Sequence, residues 1–143
     1  MKNYLKLILL LTFTFTIKSS FGQVTLSTYS LQAIGISTDN DKKISGELKA
    51  FLNRDSEDII LEPTILYNFK QHDYHQFSIG LGFSVSPFRE IDGVNGLTVP
   101  FQLEISPIEN VKNFSVLMEC TPQIGDGFSA DIRTLWGIRY AFR

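Results

Sequence analysis

The chain has 143 residues, 43% hydrophobic and 20% charged, with one cysteine and a formal net charge of −2. That length supports one domain, and twelve phenylalanines with this charge fraction argue against a disordered chain. The single Cys120 excludes an intrachain disulfide framework and a Cys-based zinc site, and the absence of a basic run or Lys/Arg stripe excludes a nucleic-acid signal.

Residues 1–22 read as a secretory signal peptide. Lys2 and Lys6 give a positive start, Leu5 to Ile17 is apolar, and Ser20-Phe21-Gly22 places small residues at −3 and −1 of a cut before Gln23. The apolar stretch is shorter than the ~20 residues that a spanning helix needs. No cysteine lies near the cut, so no lipoprotein anchor is expected. Removing Lys2, Lys6 and Lys18 leaves 121 residues with 10 basic and 15 acidic side chains, a net charge of −5. Residues 23–143 are then the folded domain.

From there on the apolar residues recur with period two, the strand period. Val24 to Thr38 is strand-like through Tyr29, Leu31, Ile34 and Ile36, with no clear face, and is too short for two full strands and a turn. Lys43 to Asn53 sets Ile44, Leu48, Ala50 and Leu52 against Lys43, Ser45, Glu47 and Lys49. Asp58 to Lys70 sets Ile59, Leu61, Pro63, Ile65, Tyr67 and Phe69 against Ile60, Glu62, Thr64, Leu66, Asn68 and Lys70. Tyr74 to Pro87 is the clearest alternation, with Phe77, Ile79, Leu81, Phe83 and Val85 opposite Gln76, Ser78, Gly80, Gly82, Ser84 and Ser86. Leu97 to Ser106 alternates Leu97, Val99, Phe101, Leu103 and Ile105 with Thr98, Pro100, Gln102, Glu104 and Ser106. Lys112 to Gln123 sets Phe114, Val116, Met118 and Cys120 against Asn113, Ser115, Leu117, Glu119 and Thr121. Asp131 to Arg143 sets Ile132, Trp136, Ile138, Tyr140 and Phe142 against Arg133, Gly137 and Arg139. Polar turn material joins these segments, so an all-β antiparallel meander of hairpins is expected. Pro63 and Pro100 lack a ladder donor, and irregularity is expected at each.

Two closed sheets compete for this pattern. A soluble secreted barrel turns its apolar face inward around an apolar ligand, whereas a membrane barrel turns it outward to lipid. Several segments reach the ~9–11 residues that cross a bilayer as a tilted strand. Their polar face is rich in small residues, as a narrow lumen requires. Charges of both signs sit near strand middles: Glu47, Lys49, Glu62, Glu104, Glu119, Arg133 and Arg139. Burial of an unpaired charge costs several kcal/mol, so a lumenal ion-pair network among these seven is expected. The lipid-facing belt is then Phe77, Ile79, Leu81, Phe83, Val99, Phe101, Leu103, Trp136 and Ile138. Trp136, Tyr140 and Phe142, with Tyr67 and Phe69, suit interfacial girdles.

The final segment, Leu135-Trp136-Gly137-Ile138-Arg139-Tyr140-Ala141-Phe142-Arg143, resembles the closing strand of the small outer-membrane β-barrel proteins of Gram-negative bacteria. In that family the last strand ends in an aromatic residue, usually terminal, where here Phe142 is penultimate. The resemblance implies an up-and-down transmembrane barrel of eight strands in the cell outer membrane. It also implies outer-membrane lipid as surroundings, and recognition by barrel-assembly machinery through Trp136, Ile138, Tyr140 and Phe142. Seven segments are legible, one short of the even number expected. With the C-terminus periplasmic, the longer connections fall outside and the N-terminus is left outside unless one more strand precedes Ser37. An eight-stranded interior is wide enough only for side chains, so a structural or interaction role with little or no solute conduction is expected.

Catalytic candidates are thin. His72 and His75 stand as His-x-x-His without a third clear ligand, so no metal is expected, and no cofactor motif is present. A lipid-modifying enzyme would need His75 and Ser78 to converge. Glu104 and Glu119 could mimic a glycosidase pair, although ion pairing to Arg133 or Arg139 explains them. Cys120 on the apolar face reads as a small hydrophobe.

Overall fold

The computed structural model describes residues 23–38, 41–52, 59–69, 74–87, 94–108, 111, 113–125 and 130–142. The segment 1–22, His72 and Arg143 lie outside the described residues. The described residues form nine strands: β1 (Val24–Tyr29), β2 (Ala33–Thr38), β3 (Ile44–Phe51), β4 (Ile60–Asn68), β5 (His75–Val85), β6 (Val94–Thr98), β7 (Phe101–Ile105), β8 (Phe114–Gly125) and β9 (Ala130–Phe142). β6 and β7 are two halves of one wall position, since both lie between β5 and β8. Every pairing is antiparallel, and β9 pairs β1, which closes eight staves into a barrel.

The register fixes the geometry of closure. The inward residues Thr25, Ser37, Glu47, Thr64, Gly82, Thr98, Gln123 and Asp131 are successive partners around the wall. Thr25 itself pairs Ala141 on β9. The circuit therefore returns to β9 at Asp131 rather than Ala141, a shear of ten residues. Such a stagger accompanies the ~35–45° strand tilt of closed barrels.

The missing eighth stave is at the start. Val24 to Thr38 makes two six-residue strands, joined by residues 30–32. The expectation that this stretch was too short for two strands is thus corrected: both strands are simply short. The turn is tight because Leu31 and Gln32 take left-handed φ values of 62° and 54°, as primed hairpin turns require. The termini share one end of the barrel, because Val24 pairs Phe142. The C-terminal ends of β2, β4 and β7 lie at that end too, and those of β1, β3, β5 and β8 lie at the opposite end, so the sequence stretches 39–43, 69–74 and 106–113 leave from one end and 30–32, 52–59, 86–93 and 126–129 from the other. Long and short connections occur at both ends, so connection length does not mark the outer face as expected.

The prolines behave differently from one another. Pro100 falls in the break between β6 and β7, where its carbonyl accepts the Gly80 N–H at 2.8 Å. Alternation and register continue across the break, from Gly82↔Thr98 to Ile79↔Phe101. Pro63 stays within β4 opposite Leu48, while paired contact with β5 is interrupted between Leu61 and Thr64. A bulge appears instead where β5 meets β6 at Ser84/Val85. There Gly96 has φ 156°, and an added Cβ would lie 2.4 Å from the Ile124 carbonyl oxygen.

Candidate functional site

The alternation sends polar side chains into the lumen and apolar ones out. Lys49 and Glu62 are fully buried, and Glu47, Glu119 and Arg139 nearly so. Large apolar side chains on the opposite parity are exposed, led by Trp136 and Ile65 at 67% and Ile132 at 66%. This is the reverse of an ordinary soluble core.

Lys49 on β3 is the hub of one half of the lumen. Its Nζ lies 2.6 Å from Glu119 Oε2 on β8 and 3.3 Å from Glu62 Oε1 on β4. Arg133 on β9 donates through Nη2 to both oxygens of Glu62, at 2.9 and 2.8 Å, and its guanidinium stacks on the Phe51 ring at 4.4 Å. Thr121 donates to Glu119 Oε1 at 2.7 Å.

Arg139 is the hub of the other half. It donates from Nη2 to Glu47 Oε1 at 2.9 Å, from Nη1 to Glu104 Oε2 at 2.8 Å, and from Nε to Ser27 Oγ at 2.8 Å. Tyr29 donates to Glu47 Oε1 at 2.5 Å, and Ser115 to Glu104 Oε1 at 2.6 Å. Gln102 joins the halves: its Nε2 donates to Glu47 Oε2 at 2.6 Å and to Glu119 Oε2 at 2.8 Å. Four carboxylates thus meet three cations, and the neutral donors Gln102, Tyr29, Thr121 and Ser115 fill the remaining acceptor positions. A buried ion pair is sustained only when its spare lone pairs are also satisfied.

All seven charged residues singled out from the sequence therefore point into one space and touch. What alternation alone did not mark is the neutral set around them, and a second, apolar group inside the barrel. Tyr29, Ala33, Phe51, Leu117 and Leu135 pack together on the inward face with Ile60 against them, and Leu66 is also fully buried. The inward face therefore carries ion pairs and apolar side chains together. Inward glycines make the fit tight. A Cβ at Gly82 would stand 2.5 Å from Thr64 Oγ1 and 2.9 Å from Thr98 Oγ1.

On the outward face, Phe77, Leu81, Phe83, Trp136 and Ile138 are exposed, while Ile79, Val99, Phe101 and Leu103 are half-buried among neighbouring strands. Tyr140 and Phe142 are exposed on the last strand with rings 5.0 Å apart. Tyr67, Phe69 and Phe77 cluster at the same end of the barrel, with centroids 5.4 and 5.5 Å apart. Trp136 stands apart from this end, near the top of β1.

The catalytic candidates do not assemble. His75 is exposed on the outward parity of β5, whereas Ser78 is buried inside and donates to Asn68 Oδ1 at 2.6 Å. Glu104 is held by Arg139 and Ser115, and Glu119 by Lys49, Gln102 and Thr121. Among the described residues, no group of three His, Cys, Asp or Glu is placed to hold a metal. Cys120 is free and exposed on the outward face of β8.

The fold and lumen define a closed antiparallel barrel of eight staves with inverted polarity. No family model matches the chain, and no curated protein matches it. Among solved structures, it is similar to the N-terminal β-barrel domain of Pseudomonas aeruginosa OprF at 15% identity, with a TM-score of 0.48, over 84% of this chain and 94% of that one. At that score the architecture rests on this chain's own strand registers.

Proposed function

We propose that this protein spans the cell outer membrane as a small β-barrel with a structural or interaction role, its lumen closed by its own side chains. The observation that supports this best is the inversion of polarity around a closed wall. A soluble protein would have to expose Ile65, Leu81, Phe83, Trp136 and Ile138 to water while burying Lys49, Glu62 and Glu119. Continuous exposed apolar surface of that extent marks lipid or a partner, and a closed barrel is the only sheet that satisfies its backbone in lipid. The inward face, polar at its centre, disfavours the soluble reading in which an apolar ligand fills the barrel. A recess of about 860 Å³ lies on the outer wall between Ile36, Leu48, Pro63, Ile65, Leu81 and Phe83, where acyl chains would lie.

Recognition by assembly machinery belongs to the same proposal. Trp136, Ile138, Tyr140 and Phe142 form an outward apolar row on the last strand.

Cell fractionation with heat-dependent gel mobility tests the reading. Recovery with the outer membrane, as a species that migrates differently before and after boiling, supports it. Recovery as a periplasmic monomer overturns it. Planar-bilayer recording then tests closure, for which no steady conductance is expected.

A further inference from the structure

The staves are of unequal height, and the step lies at the seam between β9 and β1. β1 has six residues and β9 thirteen. Their pairing ends at Tyr29↔Gly137, followed by the Ser30 N–H donating to the Trp136 carbonyl at 2.7 Å. Above that bond, β9 continues through Leu135, Thr134, Arg133 and Ile132 with β8 on one side. Among the described residues no strand lies on the other side.

The backbone alternation says which groups face the gap. Trp136 directs its carbonyl to Ser30, and its N–H to Ser30 Oγ at 3.2 Å. Thr134 and Ile132 share its parity, so their N–H and C=O groups face the same way. The Ile132 N–H is taken by the Asp131 side chain at 2.8 Å. Among the described residues, the Thr134 groups and the Ile132 carbonyl meet no neighbouring strand.

This gap lies at apolar depth on the rest of the wall. A shear of ten residues over eight staves raises each successive partner by about 1.25 residues along the axis. From Gly82 through Thr98 and Gln123 to Asp131 is three such steps. Thr134, three residues below Asp131, is therefore about level with Phe83, a large outward side chain on β5. Six-residue strands are also too short for the ~9–11 residues that span a bilayer. Unpaired backbone groups cannot face acyl chains, where each costs several kcal/mol.

Resting on the membrane reading above, we propose that the lipid headgroup layer, with its water, dips into the notch between β9 and β1 as far as Thr134 and the Ser30 turn. Its polar groups satisfy the backbone that no strand covers. Trp136, the one tryptophan of the chain, sits directly beneath the notch, where its amphipathic ring meets this lowered interface. A second embedded copy cannot fill the gap as a paired strand. Two tilted strands related by an axis along the membrane normal cross steeply and cannot form a ladder.

The test uses the full barrel in lipid nanodiscs, with Cys120→Ser as the background and a charged, membrane-impermeant maleimide as probe. Thr134→Cys and Ile132→Cys report the notch, and Phe83→Cys the intact wall at the same level. Each variant is first confirmed to be folded by its β-type circular dichroism and heat-dependent mobility. The expected result is labelling at 132 and 134 at least roughly tenfold faster than at 83, since hydrocarbon excludes the probe. Protection at all three positions overturns the notch while leaving the membrane reading intact. Rapid labelling at all three overturns both.

Discussion

Lys49 on β3 and Glu119 on β8 meet across the lumen at 2.6 Å, although their strands are not neighbours in the wall. The contact therefore depends on closure of the barrel, and it makes the ion-pair network a property of the whole fold. Removing the cation leaves Glu62 with Arg133, and Glu119 with Gln102, Thr121 and the more distant Arg133 Nη2 at 3.8 Å. Lys49→Met should destabilise the folded barrel by about 3–5 kcal/mol, the scale for breaking one partner from a buried pair. Urea unfolding in lipid vesicles, compared with the unsubstituted protein, measures it.

Gln102 bridges Glu47 and Glu119 with one amide nitrogen. Gln102→Leu keeps the approximate volume and removes both donations, which leaves two buried carboxylates short of a partner. A loss of about 1–3 kcal/mol is expected. Gln102→Glu should be worse, because it adds a fifth carboxylate to a cluster of three cations. The order of the two midpoints checks the argument.

Two glycines of opposite orientation give a paired prediction. Gly82 faces the lumen with Thr64 Oγ1 2.5 Å from any added Cβ, whereas at Gly46 nothing lies within 4 Å. Gly82→Ala should cost about 1–3 kcal/mol through overpacking. Gly46→Ala should be neutral, or stabilise by about 0.5–1 kcal/mol through lower backbone entropy in the unfolded chain. Equal effects at both positions would contradict the assigned faces.

The outward face is tested by charge. Leu81 is 58% exposed near the middle of β5. Leu81→Lys should cost about 2–4 kcal/mol in a bilayer, the scale for a cation on the lipid face at mid-depth. The same exposed position in a soluble protein would tolerate lysine almost without change.

Much of this was legible because a strand has a period of two. Once Phe83 faces out, Gly82 and Ser84 must face in, and the same parity carried every charge of the ion-pair network to one space. The first hairpin was not legible, for a local reason. Its turn uses Leu31 and Gln32 at positive φ, where glycine, asparagine or aspartate would have announced it. Alternation also misleads where an inward residue is itself apolar. Leu66 and Leu117 read as exceptions on a polar face, yet both are fully buried inside the barrel. The partners of the ion pairs, such as Tyr29 and Gln102, are set by long-range register across the lumen, which no local pattern encodes.

Contact between the apolar face and lipid is reported directly by the single tryptophan. Trp136 is 67% exposed on the outward side of β9. Its fluorescence should be compared in bilayers of ordinary lipid and of lipid brominated along the acyl chains. Blue-shifted emission, quenched by the brominated chains, is expected. Equal emission intensity in the two lipids, at the wavelength of a water-exposed indole, would contradict that contact.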